Sequence, residues 1–325
     1  MKNITKKVIA VVLIVLTCVP MLLLLSACEV EYDTDGVRAK IYNKNSPDGY
    51  ARVCEVDSNG DNVCIIPAYI EFEGRTYPVK EIGAYGAFFC SKGYSTLCND
   101  VEEIVIPETV MTFDIESYTE IWLDQFDTLK KITVHPDNAV YSSVDGVLYN
   151  KNGTELIFYP PAKEDEVMFI GNSVRSIIIA DYNFRNRNIT TVEVQQDNPF
   201  FTAIDGVLCS NDGKKLIYVP IRDYYSNKYF AIPDGVEELT ARCFGFGNTN
   251  IKYLFVPESV TTVEYITYEN SSYVTQPFTG IYNIYFESDT APQYLSDMNL
   301  SNHYQLHFGV SREQFQALEE ASRLA

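Results

Sequence analysis

Histidine is scarce in this chain, three residues in 325, and the arrangements that catalysis most often uses are missing with it. There is no G-x-S-x-G elbow, no P-loop, no dinucleotide fingerprint, no C-x-x-C pair and no H-E-x-x-H helix. His135 follows a strand-like run, and its counterpart in a sister segment is Gln195, which argues against general-base work. His303 and His307 stand four apart, a spacing that metal pairs use on a helix, but no Cys or Glu-rich partner accompanies them. Glu31-x-Asp33-x-Asp35-Gly36 begins like a calcium loop, yet Tyr42 occupies the place of its bidentate Glu. No metal or cofactor is therefore expected. Basic residues are also few. The 25 Lys and Arg face 44 Asp and Glu, for a formal charge of −19, so the chain has no basic face to meet phosphate backbones and no nucleic-acid partner is expected. Carboxylates are abundant, and a glycosidase-like pair stays open as a reading, although nothing in the sequence singles out two of them.

What the chain does contain is a segment written twice. Residues 131–160, KITVHPDNAVYSSVDGVLYNKNGTELIFYP, align without a gap on residues 191–220, TVEVQQDNPFFTAIDGVLCSNDGKKLIYVP, at an offset of 60. Identities include Asp137-Asn138 with Asp197-Asn198, Asp145 to Leu148 with Asp205 to Leu208, Gly153 with Gly213, and Pro160 with Pro220. Self-similarity at a fixed period marks a repeat architecture, in which each unit buries its apolar face against its neighbours. A shorter phrase recurs around these copies: Ile104-Val105-Ile106-Pro107, Ile232-Pro233-Asp234-Gly235-Val236 and Phe255-Val256-Pro257-Glu258 each end a β-rich run at Pro and re-enter the core one turn later. Strands are expected at 101–106, 129–134, 167–170, 189–194, 229–232, 251–256 and 281–286. Hairpins are expected from 144–149 with 155–159 and from 204–209 with 215–219, where Asn, Asp and Gly supply the turns. Asp145-Gly146 and Asp205-Gly206 read as bends that need glycine, with Asp bonding nearby amides.

The first residues form an address. Lys2, Lys6 and Lys7 precede an apolar run from Val8 to Leu25, which ends in Leu25-Ser26-Ala27-Cys28. A basic start, an apolar centre and small residues before a cleavage point make an export signal. LSAC resembles the lipobox of bacterial lipoproteins, and that resemblance implies cleavage before Cys28 and joining of its thiol to diacylglycerol. An uncleaved transmembrane anchor is the alternative, set against Pro20 inside the run. Boundaries follow: a signal peptide at 1–27, an acidic tether at 28–36, an N-terminal β cap at 37–75, a solenoid at 76–290 and a C-terminal cap at 291–325. Within the first cap, residues 50–56 and 62–66 flank the turn residues 57–61, so a hairpin would set Cys54 opposite Cys64. Export allows Cys54 to bridge Cys64 and Cys90 to bridge Cys98; free buried thiols are the alternative. At the far end Ser311-Arg312-Glu313-Gln314 has the form of a capping box, with Phe315, Leu318 and Leu324 at helical spacing behind it.

The I-x-I-P phrase with inserted Y-x-x-x-D-G-V-L-Y hairpins resembles the BspA-like leucine-rich repeats of bacterial surface proteins, over roughly residues 60–290. The resemblance implies a mostly β, right-handed leucine-rich repeat solenoid with a parallel strand ladder, inserted β-hairpins and a short C-terminal helix. It also implies a non-catalytic binding or adhesion module facing outside the cytoplasm, held at the membrane by its lipid, with a protein or glycan ligand. Tyrosines such as Tyr224, Tyr225, Tyr265, Tyr268 and Tyr273 could stack on that ligand or pack between coils. A structural or accessory envelope lipoprotein with no external ligand, and a hydrolase with a hidden carboxylate pair, are the competing readings.

Overall fold

The computed structural model describes residues 29–34, 36–56, 62–83, 101–113, 127–178, 186, 188–220, 228–245, 251–267, 274–298 and 304–324. Cys28, Cys90, Cys98, His303 and the signal segment lie outside them. The fold is mostly β, a solenoid of parallel ladders with inserted hairpins and a helix near its C-terminal end. The chain divides into two compact units, Met1–Trp122 with Val134–Val140, and Leu123–Thr133 with Tyr141–Ala325. No helix among the described residues is long and apolar enough to cross a membrane.

In the first unit the strand Tyr50–Val56 runs antiparallel to Val37–Tyr42 on one side and parallel to Arg75–Ile82 on the other. Its alternating pattern buries Ala51 and Val53 completely. A strand has only two hydrogen-bonding edges, and both are taken. The expected hairpin with residues 62–66 therefore does not form, and Val63–Ile65 pairs in parallel with Glu103–Ile106 instead. Cys54 and Cys64 are both buried, on strands with different neighbours. Residues expected to form a tether are ordered as well: Glu29–Thr34 is the edge strand of the sheet, paired antiparallel from Glu29 with Tyr42 to Thr34 with Val37. Glu31 and Asp33 thus lie in extended backbone and not in a calcium-type loop.

In the second unit the long strands of successive coils stack in register. Val167–Ile170 pairs in parallel with Thr191–Val194, and Tyr229–Ala231, Tyr253–Val256, Asn283–Phe286 and Gln305–His307 form a four-stranded parallel ladder. The expected strands are found here, several trimmed at their starts: Ile189, Ile251 and Ile281 precede the hydrogen-bonded part and enter the core as buried residues. Alternation points Met168 and Ile170 inward and leaves Val167 and Phe169 outside.

Each insertion is a three-stranded meander, not the two-stranded hairpin expected. In the first, Tyr141–Val144, Val147–Asn150 and Glu155–Phe158 follow one another; the second repeats this as Phe201–Ile204, Val207–Ser210 and Lys215–Tyr218. The division falls at Asp-Gly. Asp145 and Gly146 have φ of 50° and 79°, and Asp205 and Gly206 have 50° and 76°, the left-handed pair that a two-residue hairpin turn needs. The third strand of each meander then starts a second parallel ladder, with Ser176–Ile177 in one case and with Glu238–Leu239 and Thr262–Val263 in the other.

Three asparagines tie one coil to the preceding one. Buried Asn186 donates through Nδ2 to the carbonyls of Pro160 and Lys163, 2.8 Å each, while its Oδ1 accepts from the amides of Asn188 and Ile189. Asn198 does the same with Gly171 and Val174, and, within the first unit, Asn138 with Pro107 and Val110. One carboxamide thus satisfies several backbone groups that would otherwise be buried without partners.

The capping box forms as the sequence indicates. Ser311 N donates to Gln314 Oε1 at 2.8 Å, Gln314 N to Ser311 Oγ at 3.3 Å, and the helix Arg312–Leu324 follows. Only Phe315 of its expected apolar set is buried, against the rings of Tyr229, Phe255 and Tyr285; Leu318 and Leu324 are exposed. His307 ends the strand Gln305–His307 and is not helical, and its ring stacks on Tyr285 at 4.4 Å.

Candidate functional site

A hollow of about 250 Å³ opens between the first insertion and the strand Val167–Ile170. Its apolar walls are Val144 at the hairpin end, Val167 and the ring of Phe169, which is 56% exposed. Its polar side is built around Lys163. The Lys163 ammonium donates to Asp145 Oδ2 at 2.9 Å and to Asp165 Oδ2 at 2.8 Å, and the Tyr159 hydroxyl donates to Asp165 at 3.3 Å. Lys163 is nearly buried, whereas the two carboxylates reach solvent. Burial opposes its charge, but the hydrogen bonds to Asp165 and Asp145 outweigh that, and its pKa stands above the ordinary lysine value. Burial first, and then the nearby aspartates, push the Tyr159 and Tyr149 phenols up, so both are neutral at neutral pH.

The surrounding chain holds these groups in place. Asn186 and Asn188 both donate to the Lys163 carbonyl, at 2.8 and 2.9 Å, which fixes the backbone that carries the ammonium. Asp145 is fixed by its hairpin turn. Its carboxylate goes to Lys163, eighteen residues on, and not to neighbouring amides as the sequence suggested. At the rim Ser173 Oγ donates to the Gly153 carbonyl at 3.0 Å. Asp145, Lys163 and Asp165 also line a more open hollow on their other side, with Lys131, Ser143 and Glu164.

The sister insertion has the same backbone and a different outcome. At the offset of 60, Tyr149 becomes Cys209 and Tyr159 becomes Val219, both buried in the core. Val144, 61% exposed, becomes Ile204, whose Cδ1 sits 3.1 Å from where a Cβ on Gly213 would stand. At Gly153 the nearest such atom is Ser173 Oγ at 3.9 Å. Ile204 thus reaches over Gly213, and the residues that follow this insertion as Lys163 and Asp165 follow the first fall within 221–227, outside the described residues.

The other sequence candidates do not gather into a site. Tyr265 is 50% exposed, and Tyr224, Tyr225, Tyr268 and Tyr273 lie outside the described residues. His135 accepts from the Asp137 amide at 3.2 Å within its own turn. Among the described residues no group of three or more His, Cys, Asp or Glu could hold a metal ion. The cleft escaped sequence reading; the signal for it was the pair of tyrosines, Tyr149 and Tyr159, that distinguishes the first copy from the second.

No protein-family model matches the chain, and no curated protein matches it. It is similar to several solved structures. The pneumococcal vaccine antigen PcpA is 15% identical over 86% of this chain and 71% of that one, with a TM-score of 0.40. A leucine-rich cell surface protein from Faecalibacterium prausnitzii is 15% identical over 90% and 98%, TM-score 0.34. A leucine-rich repeat protein from Eubacterium ventriosum is 14% identical over 82% and 75%, TM-score 0.37. Leucine-rich repeats, the class that the recurring I-P phrases resemble, are thus the class of the last two.

Proposed function

We propose that this chain is a non-catalytic binding protein displayed on the bacterial cell surface and held there by a lipid on Cys28. The LSAC segment supports the address, and the repeat pattern with its parallel ladders supports a surface made for recognition. The observation that carries the binding reading is the hollow itself: Phe169, Val144 and Val167 stand exposed around one opening, beside the Lys163 ammonium and its two carboxylates. Export makes Cys54 with Cys64, and Cys90 with Cys98, the pairs proposed for disulfides.

Asp145 and Asp165 are the close carboxylates that a hydrolase reading would require. Their bonded oxygens are no more than 5.7 Å apart, the span of the two bonds to Lys163, which is near the separation of a retaining pair. Lys163 occupies the space between them, however, where a scissile oxygen would have to sit, so the geometry favours binding. The accessory-lipoprotein reading draws on a different feature. The sheet begins at Glu29, one residue after Cys28, which holds the first unit close to the bilayer.

Cells displaying the full chain, applied to arrays of extracellular-matrix proteins, bacterial surface polymers and glycans, provide the test. Saturable capture that survives moderate salt and is absent from cells lacking the chain is expected. Blank arrays, with a chain that resists protease treatment of intact cells, would transfer the argument to the accessory role. Release of product from a captured glycan would restore the hydrolase.

A further inference from the structure

We propose that the hollow beside Phe169 binds one pyranose unit of a glycan, its C–H face against the Phe169 ring and a pair of its hydroxyls on Asp145, Lys163 and Asp165. This deepens the surface-binding function proposed above and rests on it. Size comes first. At about 250 Å³ the space is below the roughly 300–1,000 Å³ of drug-sized sites, so it suits a single ring and not an extended chain.

Chemistry narrows the occupant further. An ammonium carries three N–H donors, and the two carboxylates take two of them. The polar side therefore reads acceptor, donor, acceptor across two short hydrogen bonds. A wholly apolar group seated there would strip water from three charged side chains and return no hydrogen bond, which is unfavourable. A lysine or arginine side chain would meet carboxylates already paired with Lys163 and would bring a second cation beside the first. A vicinal diol fits both roles: each hydroxyl donates to a carboxylate, and one of the two accepts the remaining N–H of the ammonium. The opposite wall agrees, because Phe169, Val144 and Val167 are large apolar side chains left 56%, 61% and 37% exposed around one opening. A sugar ring has the matching division, with apolar C–H groups on its face and hydroxyls on its edge.

The site is also built before a ligand arrives. Asn186 and Asn188 fix the Lys163 backbone, and the Asp145-Gly146 turn fixes the hairpin end, so little ordering remains to oppose weak binding. In the second insertion Ile204 lies over Gly213, a contact that Val144 does not make with Gly153.

Saturation-transfer NMR on the full chain in lipid nanodiscs tests this, using the methyl glycosides of glucose, galactose, mannose and N-acetylglucosamine, with trilysine as a cationic probe. At least one glycoside is expected to saturate, with its ring C–H protons strongest. Phe169→Ala and Asp145→Asn should each weaken it tenfold or more, Phe169→Trp should retain it, and Ile204→Val should leave it unchanged. Phe169 is exposed and Asn tolerates the left-handed turn, so both losses can be read on folded protein, verified by the unfolding midpoint. Three results would overturn the inference: no glycoside saturates, binding persists in both weakening variants, or trilysine binds and is lost in Asp145→Asn. If the glycosides fail while the arrays still capture cells, surface binding stands and the sugar class falls. If both are blank, both fall.

Discussion

The side-chain amide of Asn198 donates to the carbonyl oxygen of Gly171 at 2.8 Å, across twenty-seven residues of sequence and one coil of the fold. Its Oδ1 meanwhile accepts from the amides of Phe200 and Phe201, at 2.8 and 2.9 Å. One carboxamide closes its own turn and fastens it to the turn of the previous coil. Asn198→Ala should therefore destabilise the chain by about 2–4 kcal/mol, since several buried backbone groups lose their partner together. Asn198→Asp should be at least as harmful, because it turns an oxygen toward carbonyls that need a donor. Exposed Asn188, which gives one side-chain bond to Lys163, is the control and should cost about 1 kcal/mol or less as Asn188→Ala. Urea unfolding of the three variants measures this.

Gly146 and Gly235 both adopt left-handed backbone, with φ of 79° and 83°, but in different surroundings. A Cβ on Gly146 would stand 3.1 Å from Lys131 Cγ and 3.3 Å from Lys131 Cα, whereas one on Gly235 would meet nothing within 4 Å. Gly146→Ala combines crowding with conformational strain, and Gly235→Ala carries strain alone, about 1–2 kcal/mol. The expected order is Gly146→Ala lower in melting temperature than Gly235→Ala, and both lower than the parent. Equal loss would mean that the hairpin end yields freely.

Acid should release one charge cluster of the second unit. Lys215 bonds Glu238 at 2.7 Å and Glu264 at 2.5 Å. Burial tends to raise the Glu264 pKa, but the bonds to Lys215 and Glu238 bring it below the ordinary value of 4.5. A depressed carboxylate contributes stability above its unfolded pKa and loses it as pH falls through the folded one, so this contribution should fade below about pH 4.5. The Lys215 pKa is raised, so its share persists below 10.5 and is lost as pH climbs through the higher folded value. Both groups are partly exposed, so the effect should stay under about 1 kcal/mol. Glu264→Gln should flatten the acid limb of stability against pH between roughly 3 and 5, and an unchanged slope would assign that limb elsewhere.

Cys209 and Cys243 are fully buried thiols. Burial, and then Asp205, push Cys209 up to about 12, and burial holds Cys243 well above the ordinary range. Neither offers thiolate at pH 8, so maleimide should label both only after unfolding. Peptide mapping under native and denaturing conditions gives the answer, and run without reductant it also tests the proposed Cys54–Cys64 and Cys90–Cys98 bridges. Labelling of Cys209 in the native chain would mean that the second insertion opens.

Processing is the test of the anchor. Cys28→Ala should accumulate as full-length precursor that takes up no labelled fatty acid, visible as slower migration on a gel. Normal cleavage and lipid incorporation in that variant would remove the lipoprotein assignment.

The repeat class was legible because its signals are local: apolar alternation, Pro at strand ends and Asp-Gly turns recur at short range. Strand pairing was less so. Nothing near Tyr50–Val56 announces that Arg75–Ile82 will take its second edge, so adjacency in sequence suggested a hairpin with residues 62–66 that the finished sheet has no room for. Asp145-Gly146 was recognised as a bend, but a bend inside a strand-like run did not divide it in two. The cleft was least legible of all. Its polar side joins Asp145 to Lys163 across eighteen residues and a whole meander, a pairing that no local pattern announces.

The pairing of Glu29–Thr34 bears on how this molecule answers a pull. Tension applied at residue 28 reaches the sheet at Glu29, which faces Tyr42 at the open end of a hairpin. A pull directed across the strands loads the hydrogen bonds one after another and not all at once, so in that direction the strand unzips at low force instead of shearing. Six freed residues extend to about 20 Å, while the central strand Tyr50–Val56 keeps Arg75–Ile82 and Val37–Tyr42 on its two edges. The first strand can thus act as a fuse, yielding length before the rest of the sheet gives way.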